Sequence, residues 1–482
     1  MICSTSFLNK RLGLLLLGLL LLGCARKAPA PPPLRIAAVH ITAEGTVDGR
    51  DALQLSCSIS GGQGPVIHDF RVLKQGVESS LKRSNAASLR WAPKAPGGYR
   101  FRVVAEDAAG NVTESDWSKA YQFAPLLNEK SRYAVLPIEN LSDRLAPLPE
   151  IRNRLVGILS EAGLQILANE SQEAFMRKHR IRHVGGLNPV NSLQLRDELG
   201  VDGVVITALE TWHEAVPPRV SLIARVVATG AAPEIVWIDS VGLAGDESPG
   251  LLGLGRVDDV GALLDSGLEK LVASFQSYLA GNFPSYRHAA DGQGVRLING
   301  DQGTADATLG AVEARLHPQF TFRAATFDPA QEYRVALVPL LNASTRKHAG
   351  TIVALHLVKQ LNRYENIRVY EPGWIREILL RYRMIMQAGP SLATADVLAN
   401  QRLLGADLIV SGQVFDYQDA IGNAKVDFSM QAFDGDRREI VWTSRSQANG
   451  NDGVYFFDIG RIATAHGLVS PMTHAAVGRL EE

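Results

Sequence analysis

His179 and His183 stand four residues apart, a spacing that on a helix puts two imidazoles on one face, as a pair of metal ligands requires. No carboxylate or cysteine nearby supplies a third ligand, and Arg177, Lys178, Arg180 and Arg182 surround the pair. A cation placed among four basic side chains would be repelled. Met176 to His183 therefore reads as a solvated basic loop, able at most to touch lipid headgroups or an acidic partner. Gly253-Leu254-Gly255 opens like a nucleotide-binding glycine loop, but Asp258 occupies the place of the third glycine, and the segment falls late, between a strand and a helix. The sequence contains no Gly-x-Ser-x-Gly elbow, no Walker loop and no His-Glu-x-x-His. No catalytic residue, metal ligand or cofactor-binding residue is assigned, and neither an enzymatic activity, a cofactor nor a small-molecule substrate is expected.

Three residue pairs recur at matched places along the chain. Asp202 and Asp407 each stand where a helix hands over to a buried strand, so capping or turn hydrogen bonds account for them. Trp237 and Trp442 alternate with apolar neighbours on strands and belong to the core. Arg256 and Arg461 fall at the start of a closing helix, where a cation opposes the helix dipole. A buried carboxylate or an acidic partner surface must offset that cost, which makes these two the candidate partner-binding residues.

The pairs belong to an internal duplication. Pro137, Asn140 and Arg144 face Pro339, Asn342 and Arg346 at an offset of 202. Leu199-Gly200-Val201-Asp202 faces Leu404-Gly405-Ala406-Asp407, and Glu234-Ile235-Val236-Trp237 faces Glu439-Ile440-Val441-Trp442, both at 205. Leu254-Gly255-Arg256-Val257 faces Ile459-Gly460-Arg461-Ile462, again at 205. Each copy predicts a buried strand ending in a Pro-x-x-Asn turn, an amphipathic helix (Ile151, Leu155, Ile158 and Ala162 in the first), and a short strand. Two more helices follow, the last closed by the glycine of Leu-Gly-x-Asp, then three strands and a closing helix. Such an order gives a mixed sheet with helices packed on it. The copies span 131–281 and 333–481. Between them, 284–332 alternates Val295, Leu297 and Ala324 with polar residues, as an extra strand pair or a linking loop.

Residues 34–125 predict an all-β domain. Leu53, Leu55, Cys57 and Ile59 share one face of a strand whose other face is polar, which buries Cys57 as a small apolar side chain. Gly97 to Val103 is a second alternating strand, followed by a turn at Asp107 to Asn111. The pattern resembles the last hairpin of immunoglobulin-like or fibronectin-like β-sandwiches, and such domains are spacers or adhesive modules. The fold class expected for the whole chain is therefore multidomain: a β-sandwich followed by two duplicated α/β domains with mixed sheets flanked by helices.

The first residues are set aside as a targeting segment. Lys10 and Arg11 precede a leucine run from Leu12 to Leu22 that rises roughly 16 Å as a helix, too short to span a bilayer core, which needs about 20 apolar residues. Leu21-Leu22-Gly23-Cys24 resembles the lipobox of bacterial lipoproteins. That resemblance implies removal of 1–23, lipid on the Cys24 sulfur and a membrane anchor; by the sorting habit of such lipoproteins, Ala25 in place of an aspartate implies the outer membrane, and the lack of a membrane-crossing strand pair favours a periplasm-facing placement. Residues 24–33 form a Pro-rich tether. Cys3 leaves with the signal and Cys24 carries lipid, so Cys57 has no intramolecular disulfide partner. Lys+Arg number 49 against 50 Asp+Glu, so charge gives no support to nucleic-acid binding.

The Val-Leu-Pro-x-x-Asn strand, the Leu-Gly-x-Asp block and the Ile-Val-Trp strand resemble the CsgG-like superfamily, which includes LpoB-like lipoproteins and the amino-terminal domain of TolB. The resemblance implies a mixed-sheet fold in the envelope and work done by contact with other proteins. The expected function is a lipid-anchored adaptor that assembles or regulates an envelope complex. The alternative is a subunit of an outer-membrane secretion assembly like the curli exporter, for which no membrane-crossing strand pair is found at Gly185 to Ser192 or Met386 to Thr394.

Overall fold

Period-two alternation organises the amino-terminal part of the computed structural model, which describes residues 32–47, 50–246, 256–289, 295–299, 314–384, 391–420, 422–452 and 461–480. Strands β1 (Arg35–Val47), β2 (Arg50–Ser60) and β5 (Ser88–Trp91) form one antiparallel sheet. A second has the order β4 (Val77–Ser84), β3 (Val66–Lys74), β6 (Gly97–Asp107), β7 (Val112–Glu114), with β8 (Tyr121–Phe123) paired to β6. Leu53, Leu55 and Cys57 of the first sheet and Phe70, Val72, Tyr99, Phe101 and Val103 of the second share one core. Burial raises the Cys57 thiol above its ordinary pKa. Asp107 closes the predicted turn, its carboxylate accepting from the backbone N–H groups of Gln63, Ala109 and Asn111 at 2.9 Å each.

Next comes a mixed sheet in the order β11 (Gln165–Ile166), β9 (Arg132–Val135), β12 (Gly203–His213), β13 (Arg219–Ala228), β14 (Glu234–Ala244), with β10 (Glu139–Asn140) parallel to β12. Helices α1 (Leu148–Glu161) and α4 (Val260–Leu279) cover one face, packing Ile151, Leu155, Leu264, Leu268 and Phe275 on Leu209, Leu222, Val226 and Trp237. Helices α2 (Asn169–Lys178) and α3 (Pro189–Leu199) lie between β11 and β12 in sequence. Gly200 ends α3 in the left-handed conformation, φ 61°, which a side chain would strain.

Residues 284–332 contribute a hairpin, β15 (Ser285–His288) with β16 (Val295–Asn299), and an edge strand, β17 (Phe320–Arg323). The edge strand belongs to a second mixed sheet: β17, β23 (Glu439–Asn449), β22 (Asn423–Asp434), β21 (Leu408–Ala420), β18 (Tyr333–Leu337), β20 (Ile367–Val369), with β19 (Leu341–Asn342) parallel to β21. Apart from that edge, its strand order and directions repeat those of the first mixed sheet. Helices α5 (Ala349–Asn362) and α8 (Ala465–Gly478) lie on one face, and α6 (Pro372–Arg381) and α7 (Leu392–Ala399) on the other.

Helix α5 is buried nearly all round, every residue but Thr351 and Asn362 being buried, His356, Lys359 and Gln360 included. A helix of that kind needs cover on both sides. One side meets its own sheet; the other meets the face of the first mixed sheet that α1 and α4 leave open, so Ile206, Ala208, Ile223 and Ile238 share a core with Ile352, Leu355, Leu468 and Met472. No helix of the described residues is long and apolar enough to cross a membrane.

Candidate functional site

The seam between the two mixed sheets is where buried polar side chains gather. From the first sheet, Glu210 near the end of β12 is fully buried. From the second unit, α5 supplies His356 and α8 supplies His466. His356 Nε2 lies 3.0 Å from Glu210 Oε1, and His466 Nδ1 lies 2.7 Å from Glu210 Oε2. The two rings are 5.0 Å apart and nearly edge to face. One ligand atom from each of the three residues fits within a mutual distance of 4.8 Å.

The backbone is built for this approach. A Cβ on Gly242 of β14 would stand 2.3 Å from His466 Cδ2 and 2.6 Å from its Cγ, so the strand must carry glycine where the imidazole crosses it. Asp419, at the end of β21, accepts from the N–H of Ala465 (2.8 Å) and from Thr211 Oγ1 (2.6 Å), fixing the start of α8 to β12. Thr464 caps the same helix, accepting from Gly467 N.

Burial pushes the Glu210 carboxyl up, but the two imidazoles beside it, His356 and His466, outweigh it and hold the group well below the usual carboxylate range. Burial also lowers the His356 imidazole, against the pull of Glu210. Lys359, one turn along α5 from His356, reaches Asp239 (3.0 Å) and Ser240 Oγ (2.8 Å).

Two further joints flank this cluster. Arg225 donates to Glu371 through Nε (3.0 Å) and Nη2 (2.9 Å), both side chains being buried, and Glu371 also accepts from Leu187 N and Gly373 N. Arg346 inserts into the first unit, donating to the carbonyls of Ser142, Leu141 and Glu210 and to Asp143. Its repeat counterpart Arg144 is exposed. The amino-terminal β unit is joined in the same way, by Arg50–Glu234 and Lys74–Glu365 at 2.8 Å each and by Lys94, whose ammonium donates to three carbonyls of the second unit.

The residues singled out in the sequence fall elsewhere. Cys24 and Gly253-Leu254-Gly255 lie outside the described residues, as does Met386. Arg256 and Arg461 precede their helices rather than starting them: α4 begins at Val260 with Asp259 as its cap, and α8 at Ala465 with Thr464. Arg256 is exposed and paired with exposed Asp258 at 2.6 Å, so the expected dipole penalty does not arise. His179 and His183 do not share a helix, because α2 stops at Lys178. His179 pairs with Glu198 at 2.9 Å, a carboxylate from α3 that the local sequence could not supply, and burial lowers His183 to about 4. Asp202 and Asp407 are latches, accepting from Arg132 N (2.9 Å) and Arg334 N (2.8 Å) to align the first strands of each sheet. Trp237 and Trp442 are buried.

Glu210, His356 and His466 were missed because no spacing unites them; 256 residues separate the outer two. The repeat held the one usable signal. At offsets of 205, 202 and 205, their counterparts are Phe415, Arg154 and Gly261, so all three break a pattern that their neighbours keep.

No family model and no curated protein matches the chain. Among solved structures, it is similar to lipoprotein GNA1162 from Neisseria meningitidis, at 18% identity over 30% of this chain and 98% of that one, TM-score 0.23. It is similar to PelC from Paraburkholderia phytofirmans, at 14% identity over 33% and 96%, TM-score 0.23, and to the LpoB C-terminal domain from Salmonella enterica, at 11% over 24% and 84%, TM-score 0.21. At these scores the similarities assign neither a family nor an activity.

Proposed function

We propose that the chain is a lipid-anchored envelope adaptor, which assembles or regulates a larger complex by binding other proteins across two related α/β surfaces. The observation that carries this reading is the joint between the units. Arg50–Glu234, Lys74–Glu365 and Arg225–Glu371, each with both side chains no more than 7% exposed, fasten the β unit and both mixed sheets to one another. Buried ion pairs add little net stability over apolar substitutes, but a pair that loses its geometry is heavily penalised. Such joints suit a scaffold that must present several surfaces in one fixed arrangement.

The common strand order of the two mixed sheets supports an internal duplication, and the two facing amino-terminal sheets support a β-sandwich spacer. The Leu21-Leu22-Gly23-Cys24 motif supports a lipid on Cys24, and the resemblance to CsgG-like domains supports an envelope role. Edge strand β17 carries Phe320 and Phe322 at 56% and 46% exposure, and Ile440 beside it is 45% exposed. An open apolar edge can pair with an extended segment of a partner. The test is crosslinking in intact cells with wild type, Cys24→Ala, and the double variant Phe320→Ser/Phe322→Ser. A defined heteromeric complex, weakened by loss of the anchor or of the edge, is expected. Recovery of detergent-resistant self-oligomers alone would refute the adaptor and favour a secretion assembly.

A further inference from the structure

We propose that Glu210, His356 and His466 hold one divalent cation of the zinc class, which joins the two mixed sheets through its coordination shell. The inference goes beyond the adaptor reading and does not depend on it.

Geometry comes first. Four-coordinate zinc takes nitrogen and carboxylate oxygen at about 2.0–2.2 Å, so neighbouring ligand atoms stand roughly 3.3 Å apart. The observed separations, 3.0 Å from His356 Nε2 to Glu210 Oε1 and 2.7 Å from His466 Nδ1 to Glu210 Oε2, fall short of that by about 0.3 and 0.6 Å, so the side chains, which meet the carboxylate on different oxygens, would spread slightly to admit the ion. Two imidazoles and one carboxylate make a borderline-soft set that suits zinc better than magnesium or calcium, which prefer oxygen cages. Three protein ligands leave a fourth position for water or hydroxide.

Orientation is the second, independent observation. Although His356 Nε2 and Glu210 Oε1 are 3.0 Å apart, they are not aligned as donor and acceptor: both atoms are buried without a hydrogen-bond partner, and so is His356 Nδ1. Leaving buried polar atoms unmatched costs about 1–3 kcal/mol each, and native interiors rarely tolerate three in one place. A cation between them would give Glu210 Oε1 and His356 Nε2 a partner, whereas His356 Nδ1 would stay without one and His466 Nδ1 would exchange its present contact with Glu210 Oε2 for the ion. With Nε2 of His356 bound, the proton of that ring sits on Nδ1. Metal-bound imidazoles commonly direct the other nitrogen to an oxygen, and His466 Nε2 lies 3.5 Å from Ser240 Oγ.

The surrounding charges permit the ion. Lys359, on the same helix as His356, is met by Asp239. Arg346 reaches the backbone carbonyl of Glu210 and is met by Asp143. Asp419 at the start of α8 adds a second carboxylate near the site. Arg219, buried and donating to the Asp419 carbonyl, offsets that second carboxylate in part, so Glu210 supplies most of the charge facing the ion. Since the carboxylate belongs to the first unit and both imidazoles to the second, the ion would act as a clasp across the seam.

The full chain, solubilised in detergent, is dialysed against zinc chloride, then against metal-free buffer, and assayed for bound zinc by elemental analysis. One zinc per chain is expected, with a strong visible absorption when cobalt replaces it, as a four-coordinate site gives. Glu210→Gln and His356→Leu should each lose at least tenfold in zinc affinity, whereas His474→Gln should retain it. Should either site variant fail to fold, anomalous scattering at the zinc edge from wild-type crystals decides, with a peak expected between the three side chains. Less than one tenth of an equivalent of zinc in wild type, undiminished binding in both site variants, or an anomalous peak elsewhere would overturn the proposal. The trio would then be a staple of polar contacts without metal.

Discussion

Removing the Arg225 guanidinium while keeping Glu371 should leave a carboxylate buried without its counter-ion. Arg225 is 2% exposed and Glu371 fully buried, and two bonds of 3.0 and 2.9 Å bind them side by side. Two unit charges about 4 Å apart interact by about 4 kcal/mol at the effective dielectric of a protein interior near 20. Breaking a buried pair from one side costs about 3–5 kcal/mol by experience with such pairs. Arg225→Met should therefore destabilise by about 4 kcal/mol. Glu371→Gln should cost a similar amount, because it leaves the guanidinium buried without its carboxylate, although an amide oxygen still accepts from Leu187 N and Gly373 N. The double variant leaves no charge behind, so its cost should fall below the sum of the singles by at least about 2 kcal/mol. The assay is urea denaturation followed by tryptophan fluorescence, with Trp237 in the first sheet and Trp442 in the second reporting on both units. Strict additivity, or a cost under about 1 kcal/mol for Arg225→Met, would show that the pair is not the joint described here.

Gly242→Ala should destabilise by about 1–3 kcal/mol through overpacking against His466, and the penalty should largely vanish in a His466→Ala background, as read by the same denaturation. Arg346→Ala removes donors to three carbonyls and a carboxylate and should cost about 2–4 kcal/mol, while Arg144→Ala should stay within about 0.5 kcal/mol. Burial holds the His288 imidazole at about 4, with Arg323 adding to the effect. The unfolded chain therefore takes up this proton first: the stability is full above pH 6.5 and lost as pH falls towards 4. Between pH 7.5 and 5 this one group should account for about 2 kcal/mol, and His288→Phe should flatten the pH dependence of unfolding by that amount.

What the sequence disclosed was local. Gly200 and Gly405 each end a segment in the left-handed conformation, at φ 61° and 70°, because a helix that must turn sharply into a strand needs a residue without a side chain there. The Pro-x-x-Asn loops match atom for atom: Asn140 and Asn342 each donate to an arginine carbonyl at 2.7 Å and accept from a serine hydroxyl at 2.6 Å. Such contacts span two to four residues, so composition and spacing reveal them. The seam is different. Its residues come from β12, α5, α6 and α8, and their meeting depends on how the two units are placed, which no periodicity encodes. The partner of His179 was hidden for the same reason, because Glu198 reaches it from another helix.

The way α5 and α8 seat on the first mixed sheet has a consequence for symmetry. The helix layer of one unit is received by the sheet of the other, so the contact joins two unlike patches and is heterologous. Contacts of that type do not close on themselves; repeated, they generate rings or open filaments. Within the chain one such contact is made, and the corresponding face of the second sheet differs from the first. Where the first sheet offers Gly242 to an incoming imidazole, the second offers exposed Gln447. Arg445 lies across the Phe415 ring at 3.8 Å while holding Asp427 at 2.8 Å. The covalent chain thus carries one step of a head-to-tail contact, and its second sheet is not a copy of the surface that receives it.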